Sequence, residues 1–314
     1  MSNAPSALPA EFAGSDAGPL LAWIEAGGTK FNVAIGRDWR RPLAESRIAT
    51  ADPATTLGGV RAWLSQCEAT FGPVEAVGIA TFGPVQLDPR RVGFGHLGGT
   101  PKLGWSGVAL ASQIADGRNF AIDTDVNAAA LAEARWGAGR GHDDVAYLTV
   151  GTGIGLGLVL NGRPRHGTLH PEAGHIPLRR QLGDEFGGSC PFHGDCAEGL
   201  LSGPAILARH GQPLDLKRSR REDIDRFVDG LGQLCASVTL VTSVPLIVIG
   251  GGVMRNMPVH DLVETNMRRW LGGYLPEPTN ERTIVPPGLG DHSGLAGAYA
   301  LAAYAARRDC LEAS

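Results

Sequence analysis

Long apolar runs are missing from this chain. No stretch of its 314 residues approaches the ~18 uninterrupted apolar residues that a membrane span requires. A basic start followed by an apolar core is also missing at the N-terminus. Residues 1–18, rich in Ala, Ser, Pro and Gly, therefore read as a disordered leader and not as a targeting peptide. A disulfide framework is excluded by the odd count of five cysteines (Cys67, Cys190, Cys196, Cys235 and Cys310) in a chain without a secretory signal. Charge of one sign is not concentrated either: the formal net charge is −4. The one basic block, Lys217-Arg218-Ser219-Arg220-Arg221, is followed at once by acids and reads as a solvated loop before a helix. The expectation is a cytoplasmic protein with neither nucleic acid nor membrane as partner.

What is present is a globular composition, with 43% apolar and 19% charged residues, on a chain long enough for two lobes with separate cores. Glycine is abundant at 45 residues, without a collagen-like period, and clusters in short runs between apolar stretches. Leu20 to Ile35 reads as strand, Gly turn, strand, and Arg47–Thr50 as a third strand. Thr55–Ala69 carries Leu57, Val60 and Leu64 on one helical face. A buried strand, Ala76–Ala80, precedes the turn Phe82-Gly83-Pro84, and a helix is expected over Val108–Ile114. A strand, Asn119–Asp123, then leads to an Ala-rich helix over Ala128–Trp136. The second half restarts the plan with the strand Val145–Val150, a Gly/Thr turn and the strand Leu156–Leu160. A helix over Ile224–Val241, a strand over Leu246–Ile249 and a closing helix over Ser293–Ala305 follow. The fold class is α/β in two lobes. The small lobe is expected over 19–128 with the C-terminal helix 293–307, and the large lobe over 129–292.

Three Gly runs carry candidate chemistry. In Glu25-Ala26-Gly27-Gly28-Thr29-Lys30, two glycines let backbone N–H groups crowd against an anion and Thr29 adds a hydroxyl; an ordinary hairpin turn explains the same residues. Gly151-Thr152-Gly153-Ile154-Gly155 is denser than a hairpin needs. No helix pattern follows it, so a dinucleotide fingerprint fails. Together the two turns could grip nucleotide phosphates. Gly250-Gly251-Gly252, after a buried strand, offers a flat backbone for a purine ring, or simply a tight turn. In Asp123-Thr124-Asp125-Val126-Asn127 one acid is expected to cap the helix. The other, Asp125, is the choice for a carboxylate that orients a hydroxyl and takes its proton.

The most specific pattern is Cys190-Pro191-Phe192-His193-Gly194-Asp195-Cys196, three candidate ligands at intervals of three, with His175 as the fourth. Two thiolates and two imidazoles make a closed structural zinc site, which here would clip a long loop. Two buried thiols and incidental histidines are the alternative.

These residues together resemble the ROK family of bacterial sugar kinases, in the actin-like ATPase superfamily, from about Leu21 to about Ala305. The resemblance rests on Glu172-Ala173-Gly174-His175, the Cys loop ending in Cys196-Ala197-Glu198, and Asp125-Val126-Asn127-Ala128-Ala129. It implies an actin-like (ribonuclease H-like) fold with a structural zinc loop over 170–198. It implies an ATP site between the lobes, with Gly27, Gly28, Thr29, Lys30, Gly151, Thr152 and Gly153 at the phosphates and Gly250, Gly251 and Gly252 by the adenosine. Asp125 becomes the catalytic base, and Gly83, Asn127, Glu172, His175 and Glu198 surround the sugar. Mg²⁺ would accompany ATP, and a homodimer is expected.

Glu25 replaces an Asp of many glucose-directed members, Thr124 replaces an Asn, and His193 stands in a loop that elsewhere reads Cys-x-Cys-Gly. These departures resemble the fructokinase branch, so the expected reaction is ATP plus D-fructose giving D-fructose 6-phosphate. A glucokinase or mannokinase is the enzymatic alternative. A sugar-responsive regulator is the alternative of another class. The short, Pro/Ala/Gly-rich segment before Glu25 argues against a DNA-binding module there.

Overall fold

The computed structural model describes residues 18–100, 102–275 and 283–312. The expected leader lies, apart from Gly18, outside them. In chain order the first elements are β1 (Leu21–Ala26), β2 (Lys30–Gly36), β3 (Ala44–Ala49), α1 (Pro53–Phe71), β4 (Ala76–Thr81), α2 (Leu110–Ala115), β5 (Asn119–Thr124) and α3 (Asp125–Trp136). Then follow β6 (Val145–Val150), β7 (Ile154–Leu160), β8 (Arg163–Pro164), α4 (Ala197–Leu201), α5 (Gly203–His210) and α6 (Arg221–Thr242). The chain closes with β9 (Leu246–Gly250), α7 (Gly252–Asn256), α8 (His260–Leu271), β10 (Ile284–Val285) and α9 (Ser293–Glu312).

Two compact units result. Of the described residues, one holds those up to Arg135, a short excursion His166–His170, and those from His292 onward; the other holds those within Trp136–Arg165 and Pro171–Asp291. Each contains one five-stranded sheet, of order β3-β2-β1-β4-β5 in the first and β10-β9-β6-β7-β8 in the second. In both, a hairpin-linked antiparallel trio continues into two parallel strands. The shared plan seen in the sequence is thus a shared strand order.

In the first unit, β4 is buried along its whole length, as expected of a parallel strand covered on both faces. Its centre is Gly78, where a Cβ would sit 1.9 Å from the carbonyl oxygen of Ala298, so glycine lets α9 lie directly on the strand. Trp23 and Tyr299, both buried, meet edge-on at 5.1 Å beneath the same helix. On the other side, Leu57, Val60 and Leu64 of α1 are fully buried, the stripe read from the sequence. Asp52 caps α1 by accepting from Thr55 N at 2.9 Å. Trp105, also buried, donates to the carbonyl of Ala51 at 3.0 Å and packs on Phe31 and Phe82, which pins the connection between β4 and α2.

In the second unit, α6 supplies the apolar face Phe227, Leu231, Leu234 and Val238, which joins β6, β7 and β9 in one core. Each side chain of that size contributes about 1.5–3 kcal/mol on burial. Cys235 of α6 and Cys67 of α1 are buried core thiols.

Several boundaries differ from expectation: the third strand begins at Ala44 and not Arg47, and the helix expected from Ile224 begins at Arg221. The helix expected from Val108 begins at Leu110, because the Val108 carbonyl accepts instead from Leu97 N at 2.9 Å. The helix expected from Ala128 begins three residues earlier, at Asp125. The strand expected from Leu156 begins at Ile154, because Val150 pairs directly with Ile154 and leaves a three-residue turn.

Candidate functional site

In the first unit, parallel strands β4 and β5 end side by side, and chemistry-bearing residues follow each end, the usual place for ligands in open α/β sheets. After β4 comes Gly83, joined to Pro84 by a cis bond. After β5 comes Asp125, half-buried in the first turn of α3, whose carboxylate accepts from Val126 N at 2.8 Å. Neither acid caps this helix, contrary to expectation. Thr124 does, its hydroxyl accepting from Asn127 N at 3.1 Å. Asp123 is drawn inward: 2% exposed, its Oδ1 accepts from Thr124 N and from Asn127 Nδ2, each at 2.8 Å. Asn127 is fully buried, with that amide on Asp123.

Two histidines passed over in the sequence also lie here. His166 places Nε2 at 2.9 and 3.0 Å from the two Asp123 carboxylate oxygens. His170 accepts from Val85 N at 3.3 Å, and a Cβ on Gly83 would stand 3.2 Å from its ring. The signal available was their spacing of four, just before Pro171-Glu172.

The β1–β2 turn leaves Gly28, Thr29 and Lys30 exposed. Gly27 N donates to the Lys30 carbonyl at 3.0 Å, and Thr50, just past β3, gives its hydroxyl to Gly27 O at 2.8 Å and its N–H to Thr29 O at 3.0 Å. Glu25 accepts from the Asn32 amide opposite it at 2.6 Å.

In the second unit, the β6–β7 turn is Gly151-Thr152-Gly153. Gly151 N donates to Gly153 O at 2.9 Å, Gly203 N of α5 donates to Gly151 O at 2.7 Å, and Glu198 of α4 accepts from Ile154 N at 2.9 Å. Among the described residues, no group accepts from the N–H of Thr152 or Gly153. Gly250 ends β9, Gly251 precedes α7 at φ 99° and Gly252 starts that helix. Glu172 is exposed and leads into a 3-10 turn, Ala173–His175.

The four expected metal ligands come together. One ligand atom from each of His175, Cys190, His193 and Cys196 lies within 4.8 Å of all the others. His175 Nδ1 is 3.8 Å from Cys190 Sγ and 3.7 Å from Cys196 Sγ, and His193 Nδ1 is 3.7 Å from Cys190 Sγ. A tetrahedron with bonds of about 2.3 Å to sulfur and about 2.0 Å to nitrogen has mixed edges of roughly 3.6 Å, so the donor set fits a four-coordinate ion. Reciprocal backbone bonds between Cys190 and Gly194 (3.0 and 3.2 Å) make the tight loop that brings Cys190 and His193 to one side. Burial pushes the Cys196 thiol up, so binding an ion there must expel a proton. His210 is the last residue of α5, with Nδ1 3.7 Å from Asp223.

Residues 21–305 match the profile of the ROK family. A fructokinase from Zymomonas mobilis is 39% identical over 90% of this chain and 96% of its own length. A fructokinase from Pediococcus pentosaceus is 34% identical over 90% and 97%. Glucokinases of Streptomyces coelicolor and Streptomyces lividans stand at 27%. The crystal structure of a ROK hexokinase from Thermus thermophilus superposes with a TM-score of 0.74 at 27% identity, covering 92% of this chain and 99% of that one. The chain belongs to the ROK family, and its two α/β sheets are those of the actin-like ATPase fold of these kinases. No described helix is long and apolar enough to cross a membrane.

Proposed function

We propose that this ROK-family chain is an ATP-dependent kinase that converts D-fructose to D-fructose 6-phosphate. The observation that carries the reading is its similarity to fructokinases along nine-tenths of its length, which exceeds its similarity to glucokinases. Asp125, held at the carboxyl end of β5 by a capped helix, takes the proton of the sugar 6-hydroxyl as that oxygen attacks the γ-phosphorus and ADP leaves. In this reading Gly27 to Lys30 and Gly151 to Gly153 face the phosphate oxygens, with the Thr29 and Thr152 hydroxyls and the Thr152 and Gly153 N–H groups as donors, since the N–H groups of Gly27 and Gly151 already bond within their turns, and Gly250 to Gly252 face the adenosine. Gly83, Asn127, Glu172, His175 and Glu198 serve the sugar, with Asn127 acting through Asp123. Mg²⁺, arriving on the nucleotide, supplies neutralisation of phosphate charge.

The ion that suits the His175, Cys190, His193 and Cys196 set is Zn²⁺ in a structural role, since four protein ligands leave no open position. The assembly we propose is a cytoplasmic homodimer.

An ADP-coupled assay over fructose, glucose and mannose tests the substrate. Fructose should give the highest kcat/KM, and a preference for glucose would reject it. Asp125→Ala should lower kcat by at least ~10² with fructose binding retained. Turnover surviving that change would remove Asp125 from the chemistry.

A further inference from the structure

The β6–β7 turn is not held by its own hairpin alone. Both segments that deliver metal ligands close on it. Gly174, next to His175, packs so tightly that a Cβ there would lie 2.1 Å from the carbonyl oxygen of Ile154. Cys196 directly precedes α4, and Glu198, two residues on, accepts the Ile154 N–H at 2.9 Å. Its Oε2 would stand 2.6 Å from a Cβ on Gly153. The chain then passes from α4 to α5, where Gly203 N ties down Gly151 O at 2.7 Å. Cys196 itself is anchored to the His175 segment, since Ala197 N donates to Ile176 O at 2.9 Å.

We infer that the metal cluster is a positioning device for the nucleotide: through Glu198 it fixes the Gly151–Ile154 turn with the Thr152 and Gly153 N–H groups turned out for phosphate. Glu198 is then a positioning residue, acting through the Ile154 backbone. The inference rests on the proposed reading of this turn as a phosphate loop. It adds that occupancy of the metal site sets affinity for the nucleotide. An acceptor at Ile154 N is needed because a flexible Gly-Thr-Gly turn otherwise loses its ordered shape, and ordering it again draws on binding energy. The negative charge of Glu198 close to a phosphate opposes binding, so acceptor and charge have to be separated by experiment.

The test is titration calorimetry with Mg·ADP and, separately, fructose, on metal-loaded wild type, Glu198→Ala and Glu198→Gln, with zinc content measured on each sample. Glu198→Ala should keep its full metal complement and bind Mg·ADP at least about tenfold more weakly. Glu198→Gln keeps an oxygen acceptor and should stay within about threefold of wild type. Stripping the metal from wild type with a chelator should weaken Mg·ADP by a similar factor and speed amide exchange over residues 151–155. Unchanged Mg·ADP affinity in Glu198→Ala, with or without weakened fructose binding, overturns the inference. So does loss of metal from that variant, which would make Glu198 a support of the cluster. If loaded wild type binds no Mg·ADP, the phosphate-loop reading itself fails, an outcome distinct from the others.

Discussion

The β1–β2 turn and the β6–β7 turn occupy the same place in sheets of the same strand order, yet they are secured by different parts of the chain. Thr50, 23 residues beyond Gly27 and just past the third strand of the same sheet, holds the first. Glu198, 44 residues beyond Ile154, reaches in from α4, directly after the candidate metal loop, to hold the second. The first turn is therefore as stable as its meander. The second, on the proposed reading, depends on a ligand set whose metal binding requires two protons to leave two thiols. A repeated topology does not imply a repeated means of ordering the site built on it.

Removing the cluster should separate the two turns most sharply. Cys196→Ala deletes a candidate ligand that is 1% exposed and directly precedes α4. Zinc content should fall below about half an equivalent, and the thermal midpoint by roughly 10 °C, on the order of 3 kcal/mol. Amide exchange should accelerate at 151–155 and stay unchanged at 27–30. Equal acceleration at both turns would erase the distinction.

A smaller effect compares single methyl groups. Gly153→Ala drives a Cβ to 2.6 Å from the Glu198 carboxylate, so the side chain must swing away from Ile154 N, at about 1–2 kcal/mol in urea unfolding. Gly28→Ala meets nothing within 4 Å and should cost less than about 0.5 kcal/mol. Similar losses at both positions would mean that Glu198 does not hold its turn.

The same contrast explains what the sequence could disclose. Strands, the α1 stripe and the Cys190, His193 and Cys196 cluster are written in short-range spacing, so each is readable directly. The fourth member of that cluster, His175, lies 15 residues before Cys190, outside the short-range spacing. Contacts that cross tens or hundreds of residues left no such trace. Gly78 looks like any strand glycine until Ala298 is laid against it. Glu198 was read as a sugar residue, with no hint of its bond to Ile154. His166 and His170 gained meaning only when the excursion 166–170 was folded beside Asp123 and Val85. Thr124 was overlooked as a cap because two aspartates, better caps on average, flank it. Asp123, however, is committed to Asn127.

The first turn can be loosened by its own support. Thr50→Val keeps the shape and removes the hydroxyl that donates to Gly27 O at 2.8 Å. The expected cost is about 1 kcal/mol, the net worth of one such bond, with faster exchange at 27–30 only. A change at 151–155 would show that the two turns are coupled, which their separate supports do not require.

The smallest expected effect concerns acid, and it tests whether the first unit's frame shares the proton sensitivity of the second unit's metal loop. Glu68, near the end of α1, receives Arg118 Nε at 2.9 Å and Nη2 at 2.5 Å, and Val74 N at 3.0 Å. The Arg118 hydrogen bonds hold its carboxyl below the usual value of 4.5, against the opposing push of burial. A depressed carboxyl stabilises the fold above its unfolded pKa, and that share is lost as pH falls from about 4.5 through the lower folded value. With both side chains about one-fifth exposed, the pair is worth about 1 kcal/mol at most. Glu68→Gln should therefore reduce stability slightly at neutral pH and converge on wild type in acid, below the folded pKa. Zinc release on acidification should proceed identically in both proteins, because Glu68 is not among the four candidate ligands. If the variant instead altered the pH of metal loss, the frame of the first unit and the loop of the second would be one acid-sensitive system.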